Sequence, residues 1–253
     1  MFDPFAKAPL ALLMASAALI AGCGQSPITQ AAVAAPRPSH MVAGASPVHP
    51  VVVELFQSQG CSSCPPANAN VNAIADRADL LVLSFAVTYW DRLGWKDTFD
   101  SPKFTARQWD YAHHAARTQV YTPQVVVNGG QAIVGSNPNQ LDATIAAAGP
   151  ARGGPTLAAA GTTLDVAAQS DGKPSTVWLV RYDPRSREVA IQAGENGGRT
   201  LPHRHIVREL VALGSWKGAH ETFQLPPARE PGLSSAVLVQ QGLGGPITAA
   251  RKL

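Results

Sequence analysis

The feature that most constrains this chain is the run Val51 to Phe56 (VVVELF), followed closely by Cys61-Ser62-Ser63-Cys64-Pro65-Pro66. A short run rich in β-branched and large apolar residues reads as a buried strand. Two consecutive prolines then mark the first turn of a helix, where an N–H has no intrahelical partner to lose. The cysteines are therefore held between a buried strand and a helix N-terminus. Orphan N–H groups and the helix dipole favour negative charge at that place. Cys61 is expected to be the nucleophilic thiolate and Cys64, one turn further in, the resolving thiol. Taken alone, C-x-x-C also fits half of a zinc site or a soft-metal ligand pair.

The start of the chain bears on that choice. Leu10 to Ala21 (LALLMASAALIA) is apolar or small, with Lys7 ahead of it. A dozen such residues fall short of the roughly 20 that a spanning helix needs, but they suit the apolar region of a signal peptide. Ile20-Ala21-Gly22-Cys23 closes the stretch and resembles a bacterial lipobox. That implies a signal peptide over 1–22 and an acylated Cys23 at the head of the mature chain, placed in the bacterial cell envelope and facing the periplasm or exterior. The chain has three cysteines, and an odd thiol in an exported protein calls for such an explanation. Structural zinc would need further ligands, and no other thiols remain once Cys23 is lipidated.

Residues 23–48 are rich in Ala, Pro, Ser and Gln without helical or strand period, and read as a tether. From there the order is strand, helix, strand, helix, strand, hairpin strand, helix. The first helix is expected to reach about Ala78, and Leu80 to Thr88 to form a second buried strand. Trp90 to Phe99 reads as an aromatic loop. Ser101-Pro102 starts a helix running to about Thr118, with serine at the cap. Gln124 to Val127 and Gln131 to Val134 flank Asn128-Gly129-Gly130, a strong hairpin signal. Ser136 or Asn137 caps a last helix, with Pro138 in its first turn and Gly149-Pro150 stopping it. Beyond Arg152-Gly153-Gly154-Pro155 short strands recur between turns such as Asn196-Gly197-Gly198, the pattern of a small β-sandwich. The expected organisation is an α/β domain over 49–150 and a β-rich domain over 155–250.

Four segments, ELFQSQGCSSCPPA, YWDRLGWKDTF, YTPQVVVNGG and GENGGRTLPH, together resemble the exported thioredoxin-fold proteins collected as the domain of unknown function family 1223. The resemblance covers about residues 50 to 250. It implies a thioredoxin-like first domain with a helical insertion, followed by the smaller β-sandwich-like domain. It also implies a cis-proline at Pro123, with the Thr122 backbone facing the cysteines and pairing with an extended substrate. Glu54, a carboxylate inside the first strand, is implied as the group that relays a proton to or from Cys64; its alternative reading is an exposed edge carboxylate or an ion-pair partner. Its spacing to Cys61 is one residue longer than is usual, which Gly60 would absorb.

The expected chemistry is thiol–disulfide exchange on protein or small-molecule disulfides, with no cofactor and no bound metal. One rival is a lipoprotein that holds Cu(I) on the same cysteines for delivery. Another is a scaffold with an inert disulfide. Net charge is +3 and the basic residues are scattered, so nucleic acid is not an expected partner. Trp90, Trp95, Phe99, Trp109 and Tyr111 are read either as core beneath a long loop or as a peptide-binding rim. His113 and His114 read as solvated helix residues, and His203 and His205 as neighbours on one face of a strand.

Overall fold

The structure, a computed structural model, describes residues 41–253. The expected signal peptide, Cys23 and most of the tether lie outside the described residues. Strands β1 (Val51–Gln57) and β2 (Leu80–Ala86) are parallel neighbours joined through helix α1 (Pro65–Ala73). Both strands are buried along their whole length, which explains why they read as unbroken apolar runs. Helix α2 (Pro102–His114) packs on one face of this sheet, where Phe104 and Tyr111 join Val52, Phe56, Leu83 and Phe85. Helices α1 and α3 (Pro138–Ala148) pack on the other, where Ala67, Leu141 and Ile145 join Val51, Val53 and Leu55. Strands β3 (Gln124–Val127) and β4 (Ala132–Ile133) form the hairpin that extends the sheet beyond β1.

The helix starts follow their caps. Ser101 accepts from Lys103 N–H and Asn137 accepts from the N–H groups of Asn139 and Gln140, each with proline next in the chain. The first two helices end earlier than the sequence suggests, whereas α3 ends at Ala148, just before Gly149. α1 stops at Ala73 because the chain turns sharply back into β2, with Arg77 N–H on Ile74 O and Leu80 N–H on Arg77 O. α2 stops at His114, and Ala116 takes a left-handed φ of 53°. The last residues of the expected tether are held as well. Val42 N–H donates to the Asp79 carboxylate at 2.7 Å, and Lys252 N–H donates to Pro47 O.

The C-terminal half supplies β5 (Leu157–Ala160), β6 (Thr163–Val166), β7 (Ser175–Asp183), β8 (Arg187–Ala190), β9 (Thr200–His203), β10 (Ile206–Trp216), β11 (Glu221–Gln224), β12 (Ser234–Gln241) and β13 (Ile247–Lys252). Four of these continue the main sheet, whose order is β13-β12-β7-β10-β2-β1-β3-β4. The architecture is thus mixed α/β with one large mixed sheet and few helices. The expected boundary near 150–155 does not separate two sheets. Its physical cause lies at β2, whose outer edge would otherwise carry unpaired backbone groups. β10 runs parallel to it there, with Ile206 opposite Ser84 and Ser84 N–H donating to His205 O at 2.9 Å. A sheet-on-sheet layer does occur: β11-β6-β5 lies over β7, β10 and β12, burying Leu164, Val177, Trp216 and Val239 together. Among the described residues, no helix is long and apolar enough to cross a membrane.

Candidate functional site

β1 delivers the chain into a turn at Ser58 to Gly60, and Cys61 and Cys64 follow as a disulfide with Cα atoms 5.5 Å apart. Cys64 is the cap of α1, and its carbonyl accepts from Asn68 N–H at 3.0 Å. Both cysteines are buried, at 0% and 1% exposure, whereas Ser62 and Ser63 between them are exposed. Side-chain hydrogen bonds to sulfur gather on Cys61. The Thr122 hydroxyl donates to Cys61 Sγ at 3.3 Å, and Trp90 Nε1–H donates to that same hydroxyl oxygen at 2.7 Å. With the indole on its acceptor side, the hydroxyl is left to donate its own proton, and Cys61 Sγ and the Tyr89 oxygen are its acceptors. Ser63 Oγ also lies 3.3 Å from Cys61 Sγ, and donates to Thr122 O at 3.4 Å. The Thr122–Pro123 peptide bond is cis.

Two loops from distant parts of the chain fix the turn before Cys61. From the aromatic loop, Asp97 accepts Gln59 N–H at 2.7 Å, and Trp95 Nε1–H donates to Gln59 Oε1 at 2.8 Å. Burial pushes the Asp97 carboxyl up to about 6, although the N–H groups of Gln59 and Phe99 favour its charged form. From the β8–β9 connection, Asn196 is fully buried and donates to Gln59 O at 2.9 Å and Cys61 O at 2.8 Å. Arg199 donates to Asn196 Oδ1 at 2.7 Å, which fixes the orientation of the amide. Next to it, Glu195 accepts from Ser62 N–H at 3.0 Å and from the Ser62 hydroxyl at 2.6 Å. Those two bonds, the hydroxyl's first, hold the Glu195 carboxyl below the usual range.

Cys61, Cys64 and Thr122 thus come together, with Pro123 next in the chain to Thr122. Cys64 caps α1 and so stands at the helix's start, not one turn inside it as the sequence suggests, because the helix begins only at Pro65. Glu54 does not join them. It is fully buried in β1 and engages α2, accepting from Arg107 Nε at 2.7 Å and from the Tyr111 hydroxyl. Gln240 completes the network, accepting from Arg107 at 3.0 Å and donating to Tyr111 at 3.1 Å. Side chains alternate along a strand, so Glu54 shares the α2 side with Val52 and Phe56, opposite α1. Its polar needs are met by an ion pair there.

Of the aromatic residues, Trp90 and Trp95 border the cysteine turn, Tyr111 is core, and Trp109 lies beside His113 on α2. His113 and His114 are exposed, in line with their reading. His203 and His205 do not share a strand face: β9 ends at His203, and His205 has a left-handed φ of 50°. His205 Nδ1 lies 3.0 Å from Val82 O, while His203 Nε2 is buried without a hydrogen-bond partner among the described residues. Nothing in the sequence marks Glu195, Asn196, Asp97 and Arg107 as site residues. The only signal for the first two was the segment GENGGRTLPH, where Asn196-Gly197-Gly198 looked like an ordinary turn.

These features define a mixed α/β protein with a buried local disulfide at a strand-to-helix junction, clamped by loops from both halves of the chain. The chain belongs to the family described as protein of unknown function DUF1223, which it matches over residues 52–240. It is similar to the crystal structure of protein AGR_C_4864 from Agrobacterium tumefaciens, at 28% identity and a TM-score of 0.68, covering 85% of this chain and 96% of that one. HBP35 of Porphyromonas gingivalis shares the fold at 15% identity and a TM-score of 0.54, covering 83% of this chain and 76% of that one. No curated protein matches the chain.

Proposed function

We propose that this protein is a thiol–disulfide oxidoreductase of the bacterial cell envelope, built on a thioredoxin-like core and anchored through an acylated Cys23. In the reduced protein, the Cys61 thiolate attacks one sulfur of a protein or small-molecule disulfide, and the displaced sulfur leaves as a thiol. Cys64 then loses its proton, attacks Cys61 Sγ and releases the second substrate thiol. The observation that carries this reading is the Trp90–Thr122–Cys61 chain of hydrogen bonds. A directed hydroxyl donor on one sulfur favours the thiolate at Cys61 over Cys64, the asymmetry that exchange requires. The strand–CxxC–helix order and a cis-proline before β3 support the same reading, as does the position of Thr122 beside the pair.

Burial of both cysteines favours a second reading, an inert structural disulfide. One experiment separates the two. The purified protein is reduced and tested for reduction of an insulin disulfide, and Cys64→Ser is incubated with envelope extract. Exchange predicts turnover in the parent, mixed disulfides trapped by Cys64→Ser, and few or none trapped by Cys61→Ser. No turnover and no mixed disulfide trapped by either variant identify an inert disulfide.

A further inference from the structure

We propose that Glu195 is a positioning residue for the Cys61–Cys64 pair, biasing it toward the disulfide and making the reduced protein an electron donor. This rests on the exchange reading above and adds to it the direction in which electrons flow.

A backbone N–H in the turn between the two cysteines of a C-x-x-C pair, just ahead of its helix, is a natural stabiliser of the thiolate. Here the first such donor, Ser62 N–H, is taken by a carboxylate at 3.0 Å, and the Ser62 hydroxyl donates to the same oxygen at 2.6 Å. The donor is thus occupied, and a full negative charge is fixed against the residue that follows Cys61. Opposite charge favours a thiolate and like charge disfavours it. Other charged groups reach this turn as well. Asp97 binds Gln59 N–H from the aromatic loop, and Arg199 binds Asn196 from the β8–β9 connection. Two carboxylates against one guanidinium leave the local balance negative.

Glu195 is not placed there by chance flexibility of an exposed side chain. Its neighbour Asn196 is buried and ties the loop to the carbonyls of Gln59 and Cys61. The preceding Gly194 has a φ of 74° and packs beside Gly60, where a Cβ on it would meet Gly60 Cα at an ordinary contact distance of 3.7 Å. The carboxylate is delivered by a docked backbone.

Raising the free energy of the Cys61 thiolate destabilises the reduced pair, so the equilibrium with an external thiol pool moves toward the protein disulfide. A reduced protein of this kind gives two electrons to a substrate disulfide, which becomes two thiols, while Cys61 and Cys64 become a disulfide. Return to the dithiol requires a protein dithiol as reductant, itself oxidised to a disulfide by the same exchange.

The test measures the redox equilibrium of the full chain with glutathione, and the thiolate absorbance of reduced Cys61 against pH, for the parent, Glu195→Gln and Glu195→Asp. Glutamine keeps an acceptor for Ser62 and removes only the charge. We expect Glu195→Gln to lower the Cys61 pKa and shift the equilibrium toward the dithiol by about threefold to tenfold. Glu195→Asp should retain the parent's values. Because the carboxylate is exposed, high salt should shrink the difference between parent and Glu195→Gln, which a purely structural loss would not do. Unchanged equilibrium and thiol titration in Glu195→Gln at low salt overturn this inference and leave the exchange reading standing. A parent that does not equilibrate with glutathione at all overturns both.

Discussion

His203 and Asp97 are buried groups that titrate in opposite directions over the same pH range. Burial pushes the His203 imidazole down from 6.5 to about 4 and the Asp97 carboxyl up from 3.8 to about 6. The unfolded chain therefore protonates histidine first as pH falls. Stability due to neutral His203 is full above pH 6.5 and is lost as pH drops toward 4. For Asp97 the sign reverses: the folded state takes the proton first, so stability is full below pH 3.8 and is lost as pH rises through 6. Each shift corresponds to roughly 3 kcal/mol, so the two slopes nearly cancel in the parent between pH 6.5 and 4. His203→Phe, relative to the parent, should gain stability as pH falls through that window, and Asp97→Asn should lose it. Urea unfolding at several pH values reads both, and parallel profiles for all three proteins would rule the account out. Neither group was legible in the sequence. His203 is read in the sequence only as a strand neighbour of His205, and an aspartate in an aromatic loop carries no pattern, because the surroundings of both come from segments distant in the chain, Gln59 beside Asp97 and Phe99 beside His203. Glu54 shows the complementary limit. Its buried strand was readable, but nothing local announces that Arg107 and Tyr111 take its two oxygens.

At the scale of elements, local rules served best where they concern the start of an element. Ser101-Pro102, Asn137-Pro138 and Pro65-Pro66 open helices as expected, because capping and proline geometry are properties of neighbouring residues. Ends were less legible, as at Ala73, where the turn into β2 depends on Asp79 binding Arg77 and the distant Val42. The Asn128-Gly129 hairpin lies between these cases. Both residues have positive φ, 47° and 67°, as the sequence signal requires. The sequence does not show that the turn is packed from outside: a Cβ on Gly129 would lie 2.5 Å from Gly245 O and 3.0 Å from Ile247 N. These are backbone atoms held by Ile247 N–H donating to Asn128 O at 2.9 Å, so they cannot swing aside. Gly129→Ala should cost about 2–4 kcal/mol, the left-handed penalty plus the clash. Gly153→Ala is the control, with φ of 80° and open space around it, and should cost only about 1–2 kcal/mol. Equal shifts in unfolding midpoint would mean that the hairpin tip is not packed as described.

For the whole molecule, the sequence divides where the structure does not. Composition changes near residue 150, from alternating helices and strands to short strands alone, and that change is real. A change in pattern does not imply a separate core, because pairing partners are chosen across the whole chain. Val180, Tyr182, Val207, Leu210, Ala236, Leu238 and Ile247 bury themselves in the same cluster as Val52, Phe56, Leu83, Phe85 and Phe104. Gln240 supplies a partner to the buried Arg107, and Asn196 clamps the turn at Cys61. A fragment of residues 41–150 would expose the edge of β2 together with one side of this core. Each large apolar residue uncovered forfeits roughly 1.5–3 kcal/mol, and an ordinary domain holds only about 5–15 kcal/mol in total. The loss of a handful of contacts of this size exceeds that reserve. The fragment should therefore lack cooperative unfolding and dispersed amide resonances, and mixing it with residues 151–253 should restore both if the halves still find each other. A folded, cooperatively melting fragment with a reactive Cys61–Cys64 pair would show instead that the first 150 residues carry their own core, and that the second half is an attachment to it.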